Sequence, residues 1–268
     1  MILARKYRVT FELLRIYRSL HHQTSMEKHI IFLALLPLVA FLYAAVGHGG
    51  ASGYLALMAL FEFAPEEMKS TGLLLNLFVA AISFYHFWRS GYFKGKLFLV
   101  FAVGSIPFAF LGGMLEVDVK SYKIILGVLL IFAILKMLDV FGKESKEIKK
   151  VGWIAGISTG AAIGFFSGLI GIGGGVILSP IILLFKWGRM KEAAAVSALF
   201  IWVNSAAGMA GQFNSGIQLN ADIWIFVSLA VTGGFAGSWV GSKKMNSQAL
   251  RYLLVFVLIF ASIKLVFA

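Results

Sequence analysis

Two glycine clusters, Gly47-His48-Gly49-Gly50-Ala51-Ser52 and Gly171-Ile172-Gly173-Gly174-Gly175, each fall between two apolar runs and set the plan of the chain. Each glycine costs a helix about 1 kcal/mol relative to alanine, so a group of them breaks a helix more readily than it decorates one. The flanking runs are of membrane type. Of 268 residues, 60% are hydrophobic and 13% charged, against about a quarter charged in soluble domains. The reading is an all-α integral membrane protein whose clusters are helix breaks within the bilayer.

The apolar runs cover 30–46, 53–63, 71–88, 97–115 and 122–140, then 151–170, 176–185, 193–212, 223–241 and 250–267. A crossing needs about 20 apolar residues at a rise of about 1.5 Å each, so the run after each cluster is too short to cross alone. The second set echoes the first. Gly171, Gly173 and Gly174 follow Gly47, Gly49 and Gly50 by 124 positions; Ser215-Gly216 follows Ser90-Gly91 by 125; Arg251, Phe260 and Lys264 follow Lys123, Phe132 and Lys136 by 128. These matches predict two homologous repeats of about four helical segments each, 29–141 and 151–268, joined by a charged linker at 142–150.

A formal net charge of +12 would point to nucleic acid in a soluble protein, but here much of it lies in short loops and reports topology. No nucleic-acid partner is therefore read; the bilayer is the partner. Loops 89–96, 142–150, 186–192 and 243–251 are positive, whereas 62–70 is acidic and 213–222 carries only Asp222. Under the positive-inside rule, equivalent loops of the two halves fall on opposite sides. The expectation is an inverted repeat in which each glycine segment is a hairpin returning to its starting side; a parallel repeat of eight simple crossings is the alternative. Residues 1–28, with Arg5, Lys6, Arg8, Arg15, Arg18 and Lys28 against Glu12 and Glu27, read either as a basic membrane-surface helix or as an extension ahead of a natural start at Met26.

Non-helical backbone in hydrocarbon must be buried or line a wet cavity, so the two breaks are expected to face one shared cavity. A half-helix starting after each break presents free amides at a positive dipole end, where an anion can approach bare backbone. The candidate substrate-binding residues are Gly47, His48, Gly49, Gly50, Ala51 and Ser52 with Gly171, Gly173, Gly174 and Gly175, joined by Asn76, Ser197 and Asn204. His48 can hydrogen-bond an oxyanion or titrate. Gly112, Gly113, Gly233, Gly234 and Gly237 have the spacing of helix contacts, and Lys136 and Lys264 read as snorkelling near helix ends. No carboxylate falls mid-span. The chain has no cysteine, and it shows no metal-ligand spacing, nucleotide loop or nucleophile with a base. Neither a catalytic residue nor a metal or other cofactor is predicted.

The stretch Phe166-Ser167-Gly168-Leu169-Ile170-Gly171-Ile172-Gly173-Gly174-Gly175, followed by Pro180, Ala194-Ala195-Val196-Ser197 and Asn204-Ser205, resembles the TauE/SafE sulfite exporter family, also called the four-toluene-sulfonate uptake permease family. Ala45-Val46-Gly47-His48-Gly49-Gly50-Ala51-Ser52-Gly53 resembles it in the first half, with His48 and Ala51 in place of the family's isoleucine and glycine and no counterpart of Pro180. The resemblance implies a secondary transporter of small sulfur-containing anions in the cytoplasmic (inner) membrane: sulfite, organosulfonates or thiosulfate. Export is the expected direction. Proton-coupled uptake through His48 is the alternative within transport, a non-transporting membrane scaffold subunit the alternative outside it. A homo-oligomer is a further partner state admitted by this reading.

Overall fold

The computed structural model describes residues 29–45, 47–138, 148–216, 219, 222–243, 259 and 263. The leader at 1–28, most of the linker, Lys264, the side chain of Lys136 and nearly all of 250–267 lie outside the described residues. What is described is helical: α1 His29–Ala45, α2 Ala51–Leu60, α3 Pro65–Arg89, α4 Gly95–Met114, α5 Val119–Met137, α6 Trp153–Ile170, α7 Gly175–Leu184, α8 Met190–Asn214 and α9 Ile223–Lys243. Five of these, α3, α4, α6, α8 and α9, are long and apolar enough to cross a membrane. At 10 residues each, α2 and α7 reach about 15 Å, half the hydrocarbon thickness.

Both short helices turn back. Phe61 and Phe63, just beyond α2, pack their rings on Phe32 near the start of α1, at 5.7 and 4.8 Å. Beyond α7, the Lys149 amide donates to the Lys186 carbonyl at 2.7 Å, beside the start of α6. The hairpins α1–α2 and α6–α7 therefore open to opposite ends of the bundle. The ends differ in charge as the loop pattern anticipates. Lys94 and Glu192 meet at one end, 3.3 Å apart; at the other, Ser215 donates to the Met114 carbonyl at 3.0 Å, near Glu116 and Asp118. We call these the basic and acidic faces. Helix α3 runs from the acidic to the basic face, and α8 runs back beside it.

In lipid, association depends on close fit rather than on hiding apolar surface from water. Small residues supply the fit. A side chain at Gly160, Gly164 or Gly168 of α6 would meet the α4 backbone at Phe101, Ser105 or Ala109; one at Gly233, Gly237 or Gly241 of α9 would meet the α1 backbone at Pro37, Phe41 or Ala45. Gly112 and Gly113 likewise press on Phe165 and Gly208, and Gly234 on Val79. The expected packing role of these glycines holds. The partners, however, interleave the halves: α4 from the first seats on α6 of the second, and α9 on α1.

Candidate functional site

The helix breaks meet at the α3–α8 seam. Gly50 ends the first break at φ 100° and Gly174 ends the second at φ 77°, each the N-cap of the short helix that follows. That left-handed conformation is open to glycine with little strain, so the turn from α1 into α2, and from α6 into α7, needs glycine there. Among the described residues no acceptor takes the amides of Ser52, Gly175 or Val176. These amides lie in the first turns of α2 and α7, at positive dipole ends.

Asn76, from the middle of α3 and fully buried, ties the breaks together. Its Oδ1 accepts from the Ala51 amide at 3.1 Å, and its Nδ2 donates to the Ile172 carbonyl at 3.2 Å. A methyl on Gly49 would lie 2.6 Å from Asn76 Oδ1 and 2.9 Å from Ile201; one on Gly173 would lie 2.5 Å from Asn76 Nδ2 and 2.8 Å from Ile201. Glycine is thus required at both positions because α3 and α8 side chains occupy the space beside the backbone. This differs from the shared cavity expected above. In this conformation residues 47–50 and 171–174 are buried, and Asn76 fills the gap between them.

A second group surrounds His48, which is 5% exposed. The Ser179 hydroxyl lies 3.1 Å from His48 Nε2 and 2.7 Å from the Ser197 hydroxyl, within reach of the Gly175 carbonyl at 3.0 Å. Ser52 donates to the Tyr43 hydroxyl at 3.0 Å. Asn204 donates to the Phe200 carbonyl at 2.8 Å, while its Oδ1 and the neighbouring Ser205 and Ser167 hydroxyls are buried without a partner among the described residues. Ala51 contributes its amide, and Gly47 packs against Ala194 and Phe87. Asn76, His48 and Ser197 thus belong to the polar centre with both breaks, whereas Asn204 bonds mainly within its own helix.

Sequence reasoning missed Ser179, Ser205, Lys69 and Gln212. Ser205 stood beside Asn204, and Ser179 beside Pro180; position alone could have raised both. Lys69, placed with an acidic loop, is buried in α3 and donates to the carbonyls of Gly113 and Leu115 at 2.9 Å and of Gly112 at 3.4 Å. It caps the negative end of α4 beside a cavity of about 410 Å³ on the acidic face, into whose lining Gln212 brings a buried amide without a described partner. Neither that cavity nor the one described below is lined by the glycine breaks.

A bundle of membrane-crossing helices with two half-helices meeting at a buried polar centre defines a multi-pass membrane transporter rather than an enzyme. Comparison with known proteins agrees. The family model described as Sulfite exporter TauE/SafE matches residues 31–265. The chain is 36% identical over 232 residues to the probable membrane transporter protein y4hK of Sinorhizobium fredii, covering 85% of this chain and 94% of that protein. It is 24% identical to the probable membrane transporter protein YunE of Bacillus subtilis, over 77% and 82% of the two chains, and 28% identical to the probable membrane transporter protein MJ0441 of Methanocaldococcus jannaschii, over 66% and 72%. No solved structure matches. The chain belongs to the TauE/SafE sulfite exporter family, which sets aside the scaffold reading.

Proposed function

We propose that the protein is a secondary transporter that carries a small sulfur-containing anion, sulfite, an organosulfonate or thiosulfate, outward across the cytoplasmic membrane, binding it between the two helix breaks. The observation that carries this reading is the Asn76 clasp: one neutral side chain bridges the two breaks where α2 and α7 begin. Asn76 Oδ1 offers the Ala51 amide the kind of acceptor an oxyanion would offer. An anion entering the centre exchanges with it and gains the amides of Ser52, Gly175 and Val176, while His48 and Ser197 orient it. Outward movement of a monovalent anion from an inside-negative cell is favoured by about 2.3 kcal/mol per 100 mV, so no coupling ion is needed.

The same reading takes residues 29–141 and 151–268 as inverted repeats. In its favour, α2 and α7 both have 10 residues, α3 and α8 both have 25, and α3 and α8 run in opposite directions. Because α4 seats on α6 and α9 on α1, alternating access moves composite bodies past the α3–α8 seam rather than one sequence half against the other.

The test is counterflow of sulfite, sulfoacetate and thiosulfate into proteoliposomes, with empty liposomes and Asn76→Ala as controls. Accumulation that the variant loses supports the reading; no accumulation of any of the three sinks the sulfur-anion assignment. One observation favours a second reading, proton-coupled uptake: the His48–Ser179–Ser197 chain gives a proton a place to be held and passed. That reading requires inward flux driven by a pH gradient and abolished in His48→Ala and Ser179→Ala.

A further inference from the structure

The basic face holds a second site, remote from the helix breaks. The loops that lead into α4, α6 and α8 converge there. Lys94 pairs with Glu192 at 3.3 Å, Lys191 donates to the Tyr92 hydroxyl at 3.2 Å, and the Lys149 amide donates to the Lys186 carbonyl. Among them lies a cavity of about 700 Å³ whose lining includes Lys94, Lys96, Lys149, Lys150, Trp153 and Trp187. Glu192 neutralises Lys94. The other three lysines are exposed and have no carboxylate partner among the described residues. Gly95 opens α4 and Trp153 opens α6 at the same place, so two positive dipole ends add to three ammonium groups that have no carboxylate partner among the described residues.

Such a concentration of positive charge asks for an anion, and the surroundings say which kind. The floor is apolar: Leu97 belongs to a buried cluster with Phe101, Ile182, Val196 and Phe200, against which Trp187 packs. Phe200 and Ile163 of that cluster lie against Gly174, so the cluster stands between the cavity and the second glycine break, and no break residue lines the cavity. The rim continues outward as a lipid-facing strip, with Leu99, Val103 and Ile106 exposed along α4, Trp153 60% exposed and Ile154 85% exposed on α6. A polar pocket that opens directly onto an apolar strip matches an amphiphile better than a free ion. Basic pockets between helices flanked by indoles are the recurrent pattern for anionic headgroups.

We propose that this cavity binds the phosphate headgroup of an anionic phospholipid from the leaflet on the basic side. Lys96, Lys149 and Lys150 hold the phosphate oxygens, Trp153 lies at the glycerol level, and the acyl chains run along α4 and α6. A headgroup with two phosphates makes fuller use of three ammonium groups than one with a single charge.

The test titrates delipidated full-length protein in detergent with cardiolipin, phosphatidylglycerol, phosphatidylcholine and inorganic pyrophosphate. Native mass spectrometry reads bound lipid, and intrinsic fluorescence reads the thermal midpoint. Cardiolipin and phosphatidylglycerol are expected to bind and raise the midpoint, and phosphatidylcholine and pyrophosphate are not. The Lys96→Gln, Lys149→Gln, Lys150→Gln variant is expected to lose about a hundredfold in affinity for the anionic lipids. A Lys120→Gln, Lys123→Gln variant, altered on the acidic face, is expected to bind as the parent does. Since the three altered lysines are exposed, the variant keeps its core. The proposal is overturned by equal retention of phosphatidylcholine, by anionic-lipid affinity unchanged in the triple variant, or by pyrophosphate stabilising as strongly as lipid, which would make the cavity a free-anion site.

Discussion

Replacing Asn76 by alanine isolates the contact on which the site turns. Truncation leaves the Ala51 amide and the Ile172 carbonyl buried without their partner. Unpaired buried groups cost about 1–3 kcal/mol each, which sets an upper range of about 2–6 kcal/mol. Hydrogen bonds between membrane helices average about 0.6 kcal/mol, which sets a floor of about 1 kcal/mol for two. Asn204→Ala is the internal comparison. Its amide bonds the Phe200 carbonyl four residues back, inside α8, where the helix ladder already supplies a donor, and its Oδ1 has no described partner to lose. Asn204→Ala is therefore expected to cost under about 1 kcal/mol, and Asn76→Ala more than that, between about 1 and about 6 kcal/mol. Equilibrium unfolding of both variants in mixed micelles, followed by tryptophan fluorescence, measures the difference. If Asn204→Ala costs as much as Asn76→Ala, the assignment of Asn76 as the clasp between the two breaks is wrong.

Further outcomes follow from the same geometry. Gly173→Ala places a methyl 2.5 Å from Asn76 Nδ2 at a φ of 77°, whereas Gly91→Ala meets nothing within 4 Å at a similar φ of 79°. The first is expected to lose folded yield, while the second costs about 1 kcal/mol of backbone strain and keeps its transport rate; equal yields would refute the packing role of Gly173. Lys69→Met uncaps the carbonyls of Gly112, Gly113 and Leu115, at a cost of about 1–3 kcal/mol, and is expected to speed amide exchange in the last turn of α4. At the start of α5, hydrogen bonds from the side chain and then the backbone of Ser121 hold Asp118 below the usual carboxylate range. A depressed folded value means that this stabilisation is present above the ordinary carboxylate range and is lost as pH falls through the folded value. Asp118→Asn should flatten that part of the acid limb of unfolding, and an unchanged acid limb would remove Asp118 from the account.

Local chemistry was legible from the residues alone. The glycine clusters break helices wherever they stand, apolar length bounds which segments can cross, and loop charge sorts the ends, so the membrane class, the helix breaks and the family resemblance were all open to reading. Asn76 and Asn204 both stood out as polar residues within apolar runs, 128 positions apart, and the sequence could not tell them apart. That took the packing: Asn76 reaches both breaks, and Asn204 bonds its own helix. Lys69 sat with an acidic loop until the fold brought the end of α4 over it, and Ser179 became a partner of His48 only when α7 turned back beside the first break.

The reason is physical. In a soluble protein, the alternation of apolar and polar residues records which face of a helix is buried; here lipid and core are both apolar, and Ile154 on the surface looks in sequence like Ile170 in the interior. The sequence by itself determined where helices stop and which side each loop prefers. Which helix seats on which, α4 on α6 and α9 on α1, was decided by backbone approach at glycine. That fit is a property of two surfaces meeting in space, and the tertiary structure alone contains it.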